Sequence, residues 1–148
     1  MFLRNCWYVA GWSKDYDRSL KAQMLLGENV VLYRLEDGAP AALEDACPHR
    51  KLPLSMGQLE GDTVVCGYHG LTFDCAGNCT DSPTQRGMTP RRAVVRSYPV
   101  IDRYNLLWIW MGDADKADPT EIYEIENFND PSWGCTDGGI LPIARNYL

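Results

Sequence analysis

The chain holds two histidines, His49 and His69, and each follows a cysteine at short range. The text reads Cys47-Pro48-His49 and Cys66-Gly67-Tyr68-His69, a C-x-H and a C-x-x-H motif with sixteen residues between them. There are six cysteines, Cys6, Cys47, Cys66, Cys75, Cys79 and Cys135. Chance alone would place both histidines two or three residues after a cysteine roughly once in a hundred such chains. Two thiolates and two imidazoles from separate loops make a four-ligand metal site. One fitting group is Zn²⁺ in a tetrahedron. Another is a [2Fe–2S] cluster in which two cysteines hold one iron and two histidines the other. Zinc-finger spacing places like ligands together on one segment. Here each segment carries one of each kind, which suits a two-iron core whose ends lie a few ångströms apart.

The residues around these donors carry more. Cys47-Pro48-His49-Arg50 and Cys66-Gly67-Tyr68-His69-Gly70-Leu71 resemble the two cluster-binding loops of Rieske proteins. Gly70, beside a ligand, would let the backbone pass close to the cluster. The resemblance runs from about Asn5 to Gly112. Asn5-Cys6-Trp7-Tyr8-Val9-Ala10, the run Asp45 to Arg50, Ser82-Pro83, and Leu107-Trp108-Ile109-Trp110 before Gly112 are similar to the N-terminal part of aromatic-ring Rieske oxygenases of the vanillate O-demethylase kind. In that family a proline-bearing loop covers the cluster. The resemblance implies that Cys47 and Cys66 hold the inner iron and His49 and His69 the outer one. It implies a flavin or iron–sulfur reductase as electron donor and a homo-oligomer (a trimer) at full length; six sparse cysteines without a secretory signal point to a reducing, cytoplasmic setting. It also implies a mononuclear Fe(II) that activates O₂ on an aromatic substrate. A free-standing Rieske ferredoxin is the alternative, although such carriers lack an extension like residues 113–148. A zinc-binding interaction module is the third reading.

Two departures refine the expectation. Respiratory Rieske proteins resemble this pattern but add a cysteine to each loop, and the two form a disulfide. The matching positions here are Leu52 and Tyr68, so no bridge can form. Those proteins also place a Ser and a Tyr after the second histidine; Leu71 and Phe73 stand there and donate no hydrogen bond. The reduced cluster is then less stabilised, and the potential is expected near the low end of the Rieske range, about −150 mV. A 2-His-1-carboxylate iron site needs two histidines of its own, and both are already assigned. The oxygen-activating iron is therefore expected outside these residues. The ending Ala144-Arg145-Asn146-Tyr147-Leu148 resembles the stretch before the family's iron-binding helix. Residues 1–112 are expected to form the Rieske domain. Residues 113–148 are expected to be a linker and the opening segment of a catalytic domain.

The elements that must position the donors read mostly as strands. Val30 to Leu35 is apolar and β-branched, and Glu36-Asp37-Gly38 offers a turn into Ala41-Ala42-Leu43. Thr63 to Cys66 runs into the second loop. Leu71 to Asp74 and Cys79-Thr80 flank a Gly77-Asn78 turn. Arg96 to Ile101 and Leu106 to Met111 flank another hairpin turn. These short segments predict an all-β fold, an antiparallel sheet sandwich with two cluster-binding loops. One helical turn is expected at Pro119 to Ile122. Cys75 and Cys79 could face each other across a hairpin; Cys6 and Cys135 read as structural. Arg50, Lys51, Arg86, Arg91 and Arg92 could form a basic patch, and Trp7, Tyr8, Trp108 and Trp110 read as core.

Composition bounds the partners. The 148 residues fit one domain and part of another, with 45% hydrophobic residues as in folded chains. A net charge of −6, from 14 basic against 20 acidic residues, argues against nucleic acid. No stretch approaches the ~20 apolar residues of a membrane span, and the N-terminus lacks the pattern of a secretory signal.

Overall fold

The computed structural model describes residues 2–83, 93–136, 138, 139 and 142. Among them are ten strands: β1 (Trp7–Trp12), β2 (Lys21–Leu25), β3 (Glu28–Arg34), β4 (Pro40–Glu44), β5 (Gln58–Glu60), β6 (Thr63–Val65), β7 (Thr72–Phe73), β8 (Cys79–Asp81), β9 (Val100–Arg103) and β10 (Leu106–Trp110). They form three antiparallel sheets, ordered β1-β10-β9, β2-β3-β4 and β5-β6-β7-β8. The fold is all-β, as expected.

The run Val30-Val31-Leu32-Tyr33 lacks polar alternation because both faces of β3 are covered. Val30 and Leu32 join Ala10, Leu107, Ile109 and Met111 in one core cluster. Val31 and Tyr33 join Leu54, Val64, Leu71 and Phe73 in a second. The β2-β3-β4 sheet is thus the middle layer, between the β1-β10-β9 sheet and the sheet that carries the histidine-bearing loops. The β3–β4 hairpin turns where the sequence predicts. Gly38 has φ +87°, and Leu35 N–H bonds to Ala39 O at 2.9 Å. The β9–β10 turn uses Tyr104 and Asn105, each at φ +58°, the two left-handed residues of a tight hairpin turn.

Three strands were not expected. β1 contains Gly11 and a register shift between Val9 and Gly11, so its alternation is broken. β2 lies at a sheet edge with Met24 69% exposed, which scrambles its pattern. β5 is too short to show a period. The segment after β10 is tied down. The Trp7 and Trp110 indoles donate to the carbonyls of Asp118 and Asp113, each at 2.8 Å, and Ile122 is buried. Its expected helical turn is a 3₁₀ turn, Pro119–Glu121, capped by the Asp118 carboxylate. No helix among the described residues is long and apolar enough to cross a membrane.

Candidate metal centre

β5 and β6 are a hairpin, registered Gln58↔Val65 through Glu60↔Thr63. The loop that carries Cys47 and His49 leads into β5. The loop that carries Cys66 and His69 follows β6. Both therefore meet the open end of one hairpin, which brings residues far apart in the sequence together.

The two loops close in the same way. Cys47 N–H donates to Leu52 O, and Lys51 N–H returns to Cys47 O, both at 2.8 Å. Cys66 N–H donates to Leu71 O at 2.8 Å, and Gly70 N–H returns to Cys66 O at 3.0 Å. Each loop needs a left-handed residue four places after its cysteine: Lys51 at φ +58° and Gly70 at φ +71°. That conformation costs a side chain roughly 1–2 kcal/mol.

The four expected donors separate by polarity. Cys47 and Cys66 are 2% and 3% exposed, and their thiols lie close enough to perturb each other. Neither forms a disulfide. Burial pushes the Cys47 thiol up, while the backbone amides of His49 and Arg50 bond its sulfur and oppose that shift. The imidazoles of His49 and His69 lie outside, with ring centroids 4.7 Å apart and planes tilted by 55°. His49 is exposed and His69 half-buried. Tyr68 lies against the His69 ring at 3.8 Å and is itself largely exposed. Among the described residues, no three His, Cys, Asp or Glu side chains converge as a single-ion site requires. The arrangement is a thiol pair below an imidazole pair.

Leu71 and Phe73 are buried. Pro83 covers Gly70, its Cγ 3.1 Å from where a Cβ would stand. Arg50 is exposed, and Lys51 pairs with Glu44 at 4.0 Å; Arg86, Arg91 and Arg92 lie outside the described residues, as does the segment 144–148. Cys75 and Cys79 are free, and the Cys79 thiol donates to Asp81 O at 3.3 Å. Cys6 is half-buried and Cys135 exposed. Trp110 is core, with Trp7 edge-on to it at 5.5 Å; Trp7, Tyr8 and Trp108 are half-buried. Sequence reasoning missed Ser55, Gly57 and the contact of Asp45 with Ser55. Ser55 and Gly57 are common residue types in a loop tail, and nothing in their spacing marks them.

The sequence model of the Rieske [2Fe–2S] domain matches residues 6–99. The chain belongs to the Rieske [2Fe–2S] domain family. It is 44% identical over 148 residues to a toluene-4-sulfonate monooxygenase system iron-sulfur subunit from Comamonas testosteroni. It is 42% identical over 146 residues to the oxygenase component of dicamba O-demethylase from Stenotrophomonas maltophilia. Each alignment covers 99% of this chain, against 42% and 43% of those proteins. A vanillate O-demethylase oxygenase subunit from a Pseudomonas strain is 38% identical over 147 residues. A crystal structure of dicamba monooxygenase bound to dicamba superposes with a TM-score of 0.83 at 43% identity. That match covers 88% of this chain and 39% of that one. The chain thus spans about two-fifths of the relatives it matches, and these relatives are Rieske-type monooxygenases and O-demethylases.

Proposed function

We propose that this Rieske domain carries single electrons within an aromatic-ring oxygenase or O-demethylase. A flavin or iron–sulfur reductase would supply them, and a mononuclear Fe(II) outside these 148 residues would receive them. The observation that carries this reading is the polarity of the four donors. Two thiols are buried and two imidazoles face outward. That asymmetry matches a core with one iron held by sulfur and the other by nitrogen.

The residues fit the group. Cys47 and Cys66 would hold the inner iron as thiolates, and the amides of His49 and Arg50 already point at the Cys47 sulfur, as anionic sulfur requires. His49 and His69 would hold the outer iron. When bound, the cluster supplies one-electron storage and release at a potential low in the Rieske range. The protein's part is to bury the sulfur pole and open the imidazole edges, so that a partner approaches the ligands directly. Arg50 and Lys51 add positive charge beside the first loop, suited to an acidic partner. The tryptophan-tied segment 113–122 would hold the domain's far end. At full length the protein would work as a homo-oligomer, a trimer, as the family resemblance implies.

The test is metal and sulfide analysis with low-temperature EPR of the dithionite-reduced protein. Two irons and two labile sulfides per chain, with the signal of mixed Cys/His ligation, are expected. His49→Ala should abolish that signal. Zinc in place of iron, or a signal unchanged in His49→Ala, overturns the ligand assignment.

A further inference from the structure

Among the described residues, Asp45 is a carboxylate shut away from water, 6% exposed. A buried carboxylate needs hydrogen bonds to its oxygens. Asp45 receives them from one residue ten positions on. The Ser55 amide donates to Oδ1 and the Ser55 hydroxyl to Oδ2, each at 2.7 Å. The Asp45 amide in turn donates to Asn29 O in β3 at 2.9 Å. The pair therefore clasps the whole first loop at its base, and anchors that base to the middle sheet.

Ser55 lies in the 3₁₀ turn Leu54–Met56, and that turn leans on the second loop. The Met56 carbonyl lies 2.9 Å from where a Cβ on Gly67 would stand. Gly57 backs onto the Val65 carbonyl so closely that no side chain fits between them. A continuous path thus runs from Asp45 through Ser55 to Met56 and Gly57, and across to Val65 and Gly67, on either side of Cys66.

We propose that Asp45 and Ser55 are positioning residues, forming a non-covalent brace that sets the distance between the two loops. Leu52 and Tyr68 leave no covalent bridge to do so. Hydrogen bonds to a carboxylate are stronger and shorter than neutral ones, and the contacts to the second loop are backbone against backbone, which cannot rotate away. The inference rests on the reading of Cys47, His49, Cys66 and His69 as cluster ligands.

The experiment compares the parent chain with Ser55→Ala, Ser55→Thr and Asp45→Asn after assembly with iron and sulfide. The readouts are the rate of bleaching by a ferrous chelator, the EPR linewidth of the reduced protein, and the urea midpoint of the metal-free chain. Ser55→Ala keeps the amide bond and loses only the hydroxyl. It should bleach about tenfold faster, the usual scale for losing a partner that orients a metal ligand, with broadened EPR lines. Asp45→Asn should move in the same direction. Ser55→Thr keeps both donors and should restore rate and linewidth. Parent-like bleaching and linewidth in Ser55→Ala would overturn the brace. So would bleaching that merely follows the urea midpoint with no rescue by threonine. His49→Ala, measured alongside, separates the two ideas: a retained signal there defeats the ligand assignment, whereas a silent Ser55→Ala defeats only the brace.

Discussion

A methyl group on Gly57 measures how tightly the two loops are fitted. A Cβ there would stand 3.0 Å from Leu54 O, 3.1 Å from the carbonyl carbon of Val65, and nearer still to the Val65 oxygen. The backbone at φ −91°, ψ −152° is open to any residue, so the whole cost is steric. Every neighbour is main chain, and none can swing aside. Relief requires β5 to draw back from β6 and give up the Gln58↔Val65 pairing. One or two backbone bonds at about 1 kcal/mol each, plus about 1–3 kcal/mol for overpacking, give roughly 2–5 kcal/mol. Two neighbours grade the scale. Gly67→Ala meets Met56 O at 2.9 Å, a main-chain atom that must also shift, and should cost about 1–3 kcal/mol. Gly61→Ala has nothing nearer than 3.9 Å but sits at φ +54°, so its cost is the left-handed penalty, about 1 kcal/mol. The assay is urea unfolding of the metal-free chain. At a slope of about 2 kcal/mol per molar, Gly57→Ala should lower the midpoint by about 1–2.5 M, Gly67→Ala by about 0.5–1.5 M and Gly61→Ala by about 0.5 M. Gly57→Ala should also lose the visible chromophore on cluster assembly, while Gly61→Ala retains it. A Gly57→Ala midpoint no lower than that of Gly61→Ala would refute the reasoning.

Three further outcomes are expected. Leu71→Ser places a hydroxyl donor where the chain has none, and a redox titration should show a rise of roughly 60 mV, a tenfold change for one electron; an unchanged or lower midpoint contradicts the account of the low potential. For Glu28, burial would raise the carboxyl, but the Tyr98 hydroxyl at 2.7 Å and the Arg4 and Arg96 guanidiniums outweigh it and hold it below its ordinary 4.5. Its stabilisation is complete above that value and falls as acid carries the pH down through the folded one. Tyr98 is pushed above its ordinary 10.0, by burial first and then by Glu28, so its contribution is complete below 10.0 and lost as the pH climbs higher. Urea midpoints against pH should show both limbs, and Tyr98→Phe should shrink each; a profile identical to the parent's contradicts the network. Lys51→Gly should raise stability by about 1 kcal/mol and Gly70→Ala lower it by at least as much, measured by the same unfolding assay.

The candidate donors stand out because they are rare residue types at short local spacing. A cysteine and a histidine within three positions, twice, need no knowledge of the fold. β3 and β4 were legible because a layer covered on both faces writes an unbroken apolar run, and β10 because Leu106 to Trp110 is apolar throughout. The edge elements were not. Met24 points outward at 69% exposure, so the apolar residues of β2 do not report its buried face. The Asp45–Ser55 clasp joins two ordinary residues ten positions apart, and the Gly57–Val65 approach exists only once β5 and β6 are paired. Such contacts are products of the fold and leave no periodicity behind.

Gly70 shows how a correct residue can carry an incomplete reason. The sequence marks it as the place where backbone must pass close to a metal group. In the structure, the equivalent position of the first loop is Lys51, which adopts the same left-handed conformation with a side chain attached. Conformation alone therefore does not demand glycine at this point of the loop. What separates the two positions is a neighbour: Pro83 packs over Gly70, 3.1 Å from a would-be Cβ, whereas the Lys51 side chain reaches out toward Glu44 at 4.0 Å. The glycine makes room for a cover over the second loop. The first loop is held at its base by Asp45 and Ser55. The two loops, closed by the same pair of backbone hydrogen bonds, thus rest on different neighbours, the Asp45–Ser55 clasp for the first and Pro83 for the second.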